Sequence, residues 1–513
     1  MTRRPRKSPR QRNRGAKSTA IRQLPFKVHR NPFRPVEILS EDQIHLIHEK
    51  SLDLLQDYGI EFLLDEAREM LAAAGADVEP SGPRVRFDRG MIEERIKTVP
   101  RSFKLHARNP AHDLEFGDNT ITFIMVGSAP NASDIEGGRR PGNFSDYCDF
   151  LKLSQSLNIC NGPQGYPTEP TDIPTPIRHL EAGRAMVKLT DKANFGYALG
   201  RQRLADVLEI VRIGRGISAE QLSREPSMVA TINCNSPLRY DTHLTQGLIE
   251  LARHNQPTVV SPFTLSGAMA PVTLAGTLIQ QNAEALAAIA LTQVANPGAP
   301  VFYGAFASNV DMRSGAPAFG TPEYVRTTLA AGQLARHYGF PYRSSAPCSA
   351  NAPDAQAVYE TEMALWPCLL GHANMVKHAF GWLEGGLCAS FEKVIIDAEI
   401  VQNLVEVLHP IDTSPDALGI EAIKDVGPGG HFFGTQHTLE RYETAFYEPF
   451  LSDRRNFESW EEAGSPDTLT RAHKIYKSLI ADYEPPALDP AIAEELDAFV
   501  DRRIAEGGAE YGT

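Results

Sequence analysis

Cysteine is scarce, and nowhere is it arranged for chemistry: Cys148, Cys160, Cys234, Cys348, Cys368 and Cys388 include no Cys-x-x-Cys pair. That spacing argues against a zinc knuckle or a dithiol redox motif, and no bound metal is expected. A disulfide framework belongs to small secreted chains, so buried free thiols are the simpler reading. Long apolar runs are also missing: no stretch of about 18 apolar residues could span a bilayer, and the N-terminus lacks the apolar centre of a secretory signal. A cytoplasmic protein is expected. Positive charge is in deficit, with 51 Lys and Arg against 64 Asp and Glu and a net charge of -13. That argues against a general nucleic-acid binder, because phosphate neutralisation needs a basic surface. Residues 1–24 are the exception: Arg3 to Lys17 is rich in Arg and Lys with almost no apolar side chains, which reads as a disordered basic tail.

What is present is a chain of 513 residues, 42% hydrophobic, able to bury a large core. Ser40-Glu-Asp-Gln43 has the form of a capping box, and Ile44, Ile47, Ser51, Leu54, Leu55 and Tyr58 continue one helical face until Gly59 stops it. Short helices and hairpin runs follow, so residues 25–118 read as an N-terminal helical and hairpin appendage. From residue 119 the pattern changes. Strand-like runs begin near Ile121, Asn158, Asn194, Met228, Thr258, Val301, Phe340 and Asn374, with helical segments between them. Eight such units predict an α/β fold, a β/α (TIM) barrel over residues 119–385, with a doubly wound open sheet as the alternative. Residues 386–513 read as a helical C-terminal extension, one helix opening at Ser414-Pro415. Gly427-Pro-Gly-Gly-His431 lacks the Lys-Ser/Thr of a phosphate loop and reads as a tight turn.

Several segments together resemble the trimethylamine methyltransferase family of corrinoid-protein-dependent enzymes. They are Ser236-Pro-Leu-Arg-Tyr-Asp241, Phe302-Tyr-Gly304 with Asp311-Met-Arg-Ser-Gly315, Pro353-Asp-Ala-Gln-Ala-Val-Tyr-Glu360, His378-Ala-Phe-Gly-Trp-Leu-Glu384 and Gly427-Pro-Gly-Gly-His-Phe432. The resemblance spans about residues 35 to 500. It implies a β/α barrel with its site at the C-terminal strand ends, and an enzyme that moves a methyl group from a methylamine or betaine to a separate corrinoid protein. Relatives acting on trimethylamine carry pyrrolysine in a loop of the second half of the barrel. This chain holds only ordinary residues and looks like the group without pyrrolysine, some of which demethylate glycine betaine. Its Ser344-Ser-Ala-Pro-Cys-Ser-Ala-Asn351 also differs from the Gly-Gly and Thr-Asp-Ala-Lys pattern common there.

A quaternary ammonium leaves as a neutral amine, so its demethylation asks for positioning rather than proton transfer. Aromatic faces hold such a cation. Tyr166, Tyr197, Phe263, Phe306, Tyr342, Phe380 and Trp382 stand at strand exits as candidates, each with core packing as its alternative. A betaine carboxylate needs a cationic or donor partner: Arg313 first, a loop ion pair being its alternative, then Arg343 and His378. Gln356, Tyr359 and Glu360 open a helix that could face the same mouth, or simply cap and pack it.

The partners expected are a cognate corrinoid protein and a small methylated amine, the chain itself being a homo-oligomer. No tightly bound cofactor is expected, since Asp241-Thr-His-Leu-Thr-Gln246 lacks the glycine of the Asp-x-His-x-x-Gly corrinoid motif. A betaine-binding protein without catalysis and a metal-assisted barrel hydrolase remain alternatives. The second would need a His and Asp cluster at the strand ends, where only His378 stands.

Overall fold

Short runs of β-branched and aromatic residues, each ended by a polar turn, make the central sheet of the computed structural model, which describes residues 21–510. Strands β1 (Thr120–Met125), β2 (Asn194–Gly196), β3 (Met228–Ile232), β4 (Thr258–Val260), β5 (Val301–Gly304), β6 (Tyr342–Ser345) and β7 (Met375–Phe380) run parallel in the order β1-β7-β6-β5-β4-β3-β2. His29–Arg30 pairs antiparallel with β1 at its other side. The sheet is strongly curved. Lys377 on β7 donates to the Thr231 hydroxyl on β3, although β6, β5 and β4 lie between them in the sheet.

The run beginning at Asn158 departs from the expected strand. Its pairing is a single parallel bridge, Gly162 to Ile124, with the Asn161 amide donating to the Phe123 carbonyl at 2.8 Å. Pro163 has no amide hydrogen and Gly162 and Gly165 flank it, so the ladder cannot propagate there. In the C-terminal extension, the helix expected from Pro415 begins instead at Ile420, after a turn over residues 414–418. Most of the basic tail expected over residues 1–24 lies outside the described residues. Ile21 is buried, and the Gln23 amide donates to the Ser156 carbonyl at 2.8 Å.

Helices cover the convex face. They are α1 (Glu41–Asp53), α2 (Phe144–Ser156), α3 (Thr175–Leu189), α4 (Arg201–Arg215), α5 (Thr242–Arg253), α6 (Leu274–Ala295), α7 (Pro322–Tyr338), α8 (Ala355–Leu370), α9 (Phe391–Glu406), α10 (Thr468–Ala481) and α11 (Pro490–Ala505). The Ser40–Gln43 capping box starts α1, and a π turn over Leu54–Tyr58 ends against Gly59 at φ 83°. Helix α6 is apolar nearly all round because α1 packs on its outer side while α5 and the sheet pack elsewhere. Helices α10 and α11 lean on α9 and on α3 and α4. All six cysteines are free thiols, and only Cys148 is partly exposed.

Alternation along the strands decides what lies where. Met228, Ala230, Val301, Tyr303, Tyr342 and Val376 face the helices, whereas Phe195, Val229, Val259, Phe302 and Met375 form a separate cluster on the concave side. Leu105, Leu114 and Phe116 of the hairpin Phe103–Leu105/Leu114–Phe116 complete that cluster. The appendage thus lays a floor under the concave interior.

His29, buried beside Phe123, has its pKa lowered to about 4 by burial and then by Lys27 and His409. The unfolded chain therefore binds its proton below about pH 6.5 while the folded one resists until about pH 4, so stability drains away as pH falls through that window. His29→Gln is expected to remove about 3 kcal/mol of this acid sensitivity between pH 6.5 and 4. Urea unfolding of both proteins at stepped pH would read it; parallel pH profiles would refute the assignment.

Candidate functional site

The C-terminal ends of β4, β5 and β7 deliver an aromatic group to one mouth. Phe263 follows β4, Phe306 follows β5, His378 lies near the end of β7 and Trp382 follows it. Ring centroids lie 4.9 Å apart for Phe263 and Phe306, 6.1 Å for Phe306 and His378, 6.3 Å for Phe306 and Trp382, and 4.1 Å for His378 and Trp382. Phe319 joins them, 5.4 Å from Phe306 and 6.4 Å from Trp382.

The local chain explains this convergence. The β1–β7 register slips between Val376 and Phe380, and His378 sits in the left-handed region at φ 58°. Such a bulge redirects a side chain out of strand alternation, here against Trp382. Gly381 follows at φ 88°, its amide donating to Asp397 on α9 at 2.8 Å. A Cβ on Gly386 would sit 2.6 Å from the Trp382 ring, so the loop can pass under the indole only as glycine.

Beneath the aromatic mouth lie two buried basic side chains. Arg343 on β6 is 2% exposed; its Nη1 donates to the Ser261 hydroxyl at 2.9 Å, and its guanidinium lies 5.2 Å from the Phe306 ring centroid. Lys377 is 1% exposed, donates to Thr231, and stands 5.9 Å from the floor ring of Phe195. Burial lowers the Arg343 pKa to about 10 and drives that of Lys377 well below its ordinary value, with Arg343 adding to the second effect. Burial, then Arg343 and Lys377, push His378 far down, so its imidazole stays neutral. Arg343 Nε, His378 Nδ1 and Trp382 Nε1 are buried without a hydrogen-bond partner.

Of the residues singled out from sequence, Phe306, His378 and Trp382 come together, and so do Phe263 and Arg343. Phe380 is fully buried in the large core cluster. Tyr197 pairs with Tyr166 at 4.4 Å and with the Ser128 hydroxyl at 2.6 Å, beyond the end of β2. Tyr342 points outward, donating to the Thr328 carbonyl on α7 at 2.8 Å. Gln356 is exposed and donates to Glu360 at 2.8 Å; Tyr359 is exposed; Glu360 receives the amides of Ser349 and Ala350 and so props the loop after β6. Arg313 is exposed in the turn Asp311–Gly315, its amide bonded to Asp311. Sequence reasoning passed over Lys377 and Phe319. Lys377 had a signal, being a charge inside an apolar strand; Phe319, in a loop, had none.

Comparison with known proteins agrees with this architecture. The model of the trimethylamine methyltransferase family matches residues 3–508. A glycine betaine methyltransferase of Desulfitobacterium hafniense strain Y51 is 38% identical over 474 residues, covering 92% of this chain and 98% of that protein. A trimethylamine methyltransferase of D. hafniense strain DCB-2 is 28% identical over 481 residues, covering 92% and 94%. The crystal structure of the Methanosarcina barkeri monomethylamine methyltransferase superposes with a TM-score of 0.50 at 10% identity, over 87% of this chain and 88% of that one, a likeness of fold. The family model matching nearly the whole chain, together with the 38% identity to the glycine betaine methyltransferase, shows that the chain belongs to the trimethylamine methyltransferase family.

Proposed function

We propose that the chain transfers a methyl group from a quaternary amine of betaine type to the corrinoid of a separate protein. The observation that carries this reading is the aromatic mouth of Phe263, Phe306, Phe319 and Trp382 around a neutral His378. Such rings hold a methylated ammonium by their faces, each worth about 0.5–2 kcal/mol according to desolvation. The 38% identity to a glycine betaine methyltransferase over nearly the whole chain supports the same class of substrate.

When bound, the partner's corrinoid supplies the reduced metal nucleophile that accepts the methyl group. The carbon–nitrogen bond breaks with its electron pair left on nitrogen, so a neutral tertiary amine departs and this chain need move no proton. Its residues orient the substrate, exclude water and stabilise the cation until it loses its charge. A neutral His378 suits that task, since an imidazolium there would repel the ammonium. The same reading takes the sheet as a barrel closed through residues 158–165. Gly162 bridges β1 and lies so near β2 that an added Cβ would stand 2.7 Å from the Phe195 ring. It also takes the enzyme as a cytoplasmic homo-oligomer, and no helix among the described residues is long and apolar enough to cross a membrane.

The test is direct: incubate the protein with glycine betaine, a cognate corrinoid protein and a reductant that brings its cobalt to the Co(I) state, and follow the methylcobalamin spectrum and dimethylglycine by mass. Both products are expected, with trimethylamine a poorer donor. Absence of methyl transfer from every quaternary amine tried would end this reading.

A further inference from the structure

The interior beneath the aromatic mouth is unusual in its charge. Arg343 and Lys377 are both almost wholly buried, and the groups that influence them include no carboxylate. Their hydrogen bonds go to the neutral hydroxyls of Ser261 and Thr231, and Arg343 Nε has no partner. Buried cations are ordinarily paired, because desolvation without a counter-charge is costly. Two together repel each other as well. Around them lie the hydroxyls of Ser261 and Thr231, the ring of Phe195 and the face of Phe306, none of which brings a negative charge. Such an arrangement persists where a ligand brings the missing negative charge.

We propose that Arg343 and Lys377 are the binding site for the anionic tail of the substrate, so that the site accepts zwitterions whose carboxylate enters first and whose methylated nitrogen remains among the aromatic rings. This rests on the reading that those rings receive the ammonium. Arg343 is the hinge of the arrangement, for its guanidinium touches both layers, Ser261 at its own level and the Phe306 face above. Arg313 stands in solvent and His378 is uncharged, so neither offers the carboxylate a buried cation. Selection follows from charge: choline carries the same ammonium with a hydroxyl tail and leaves both cations uncompensated.

Isothermal calorimetry with glycine betaine and choline on wild type, Arg343→Met and Lys377→Met tests this without any corrinoid. Wild type is expected to bind betaine at least about tenfold more tightly than choline, and each variant to lose about 10- to 100-fold in betaine affinity, so that the preference collapses. The ligand-free variants should melt no lower than wild type, since a buried unpaired charge has been removed; a merely structural pair would instead melt lower. Lys377→Arg should recover part of the affinity. Should a variant not fold, sodium acetate competition on wild type decides: acetate should displace betaine and leave choline binding unchanged. Equal wild-type affinity for betaine and choline, betaine affinity unchanged in both folded variants, or no competition by acetate would overturn the proposal. Failure of the methyl-transfer reading is distinguishable, since wild type would then bind betaine selectively yet form no methylcobalamin.

Discussion

Lys393→Met is expected to cost the folded protein about 3–5 kcal/mol, although Lys393 is not among the aromatic and cationic side chains that line the candidate site. Lys393 and Asp397, one turn apart on α9, form an ion pair with side chains 1% exposed. The Lys393 ammonium also donates to the Thr361 hydroxyl at 2.8 Å, and the second oxygen of Asp397 accepts the Gly381 amide at 2.8 Å. Removing the lysine strands the carboxylate in a dry site. Burial already raises the Asp397 pKa and Lys393 opposes that rise, so the variant's carboxyl will titrate higher still. A carboxyl whose folded pKa exceeds its unfolded one binds more protons when folded, and stability then falls as pH rises. The deficit should therefore be larger at pH 8 than at pH 5 in urea unfolding. Lys393→Met/Asp397→Leu should recover much of it, because a buried pair is worth little against well-packed apolar groups. A loss below about 1 kcal/mol in the single variant would refute the argument. Since Asp397 holds the amide between His378 and Trp382, Lys393→Met should also weaken betaine binding, a readout that an ordinary core defect far from β7 would not give.

How much of this was legible beforehand depends on which physical signal each element carries. Strand starts near Ile121, Asn194, Met228, Thr258, Val301 and Asn374 announced themselves because a parallel strand buried on both faces is a near-continuous apolar run. The same property hid which face each residue takes. Tyr342 and Arg343 are neighbours at a strand start, yet one hydrogen-bonds to α7 and the other enters the interior. The Asn158 run had the right composition, but Gly162-Pro163 removes the amide a ladder needs, a local veto that counting apolar residues overlooks. His378 stood out as polar among apolar residues and does reach the mouth, though only through a bulge that no periodicity encodes. Lys377, one residue earlier, carries the same anomaly, a charge inside an apolar run. Arg313 attracted notice by charge and loop position; in a turn closed by Asp311 and Ser314 it has no need of an inward course.

Phe302→Ala at the floor is expected to cost about 3–5 kcal/mol, the usual loss when a fully buried aromatic is truncated and its cavity cannot collapse. Phe302 packs edge-to-face on two rings of the appendage hairpin, with centroids 5.0 Å from Phe103 at 78° and 4.8 Å from Phe116 at 81°. Deleting it removes the apolar surface on which the hairpin rests. Phe302→Leu, which keeps most of the volume, should cost about 1–1.5 kcal/mol. A double-mutant cycle with Phe116→Ala should show a coupling of about 0.5–1.5 kcal/mol, because both residues lose the same edge-to-face contact. Additivity would mean that the hairpin is held by something other than this floor. The consequence extends upward: Lys377 lies directly over Phe195 of the same floor, and water admitted through the Phe302 cavity would solvate its ammonium and release it from dependence on an anion. Betaine affinity should then fall in Phe302→Ala more steeply than in Phe302→Leu, even at temperatures where both remain folded. Equal affinities in the two variants would confine the floor to stability and leave the dryness of the cation site to the aromatic rings above it.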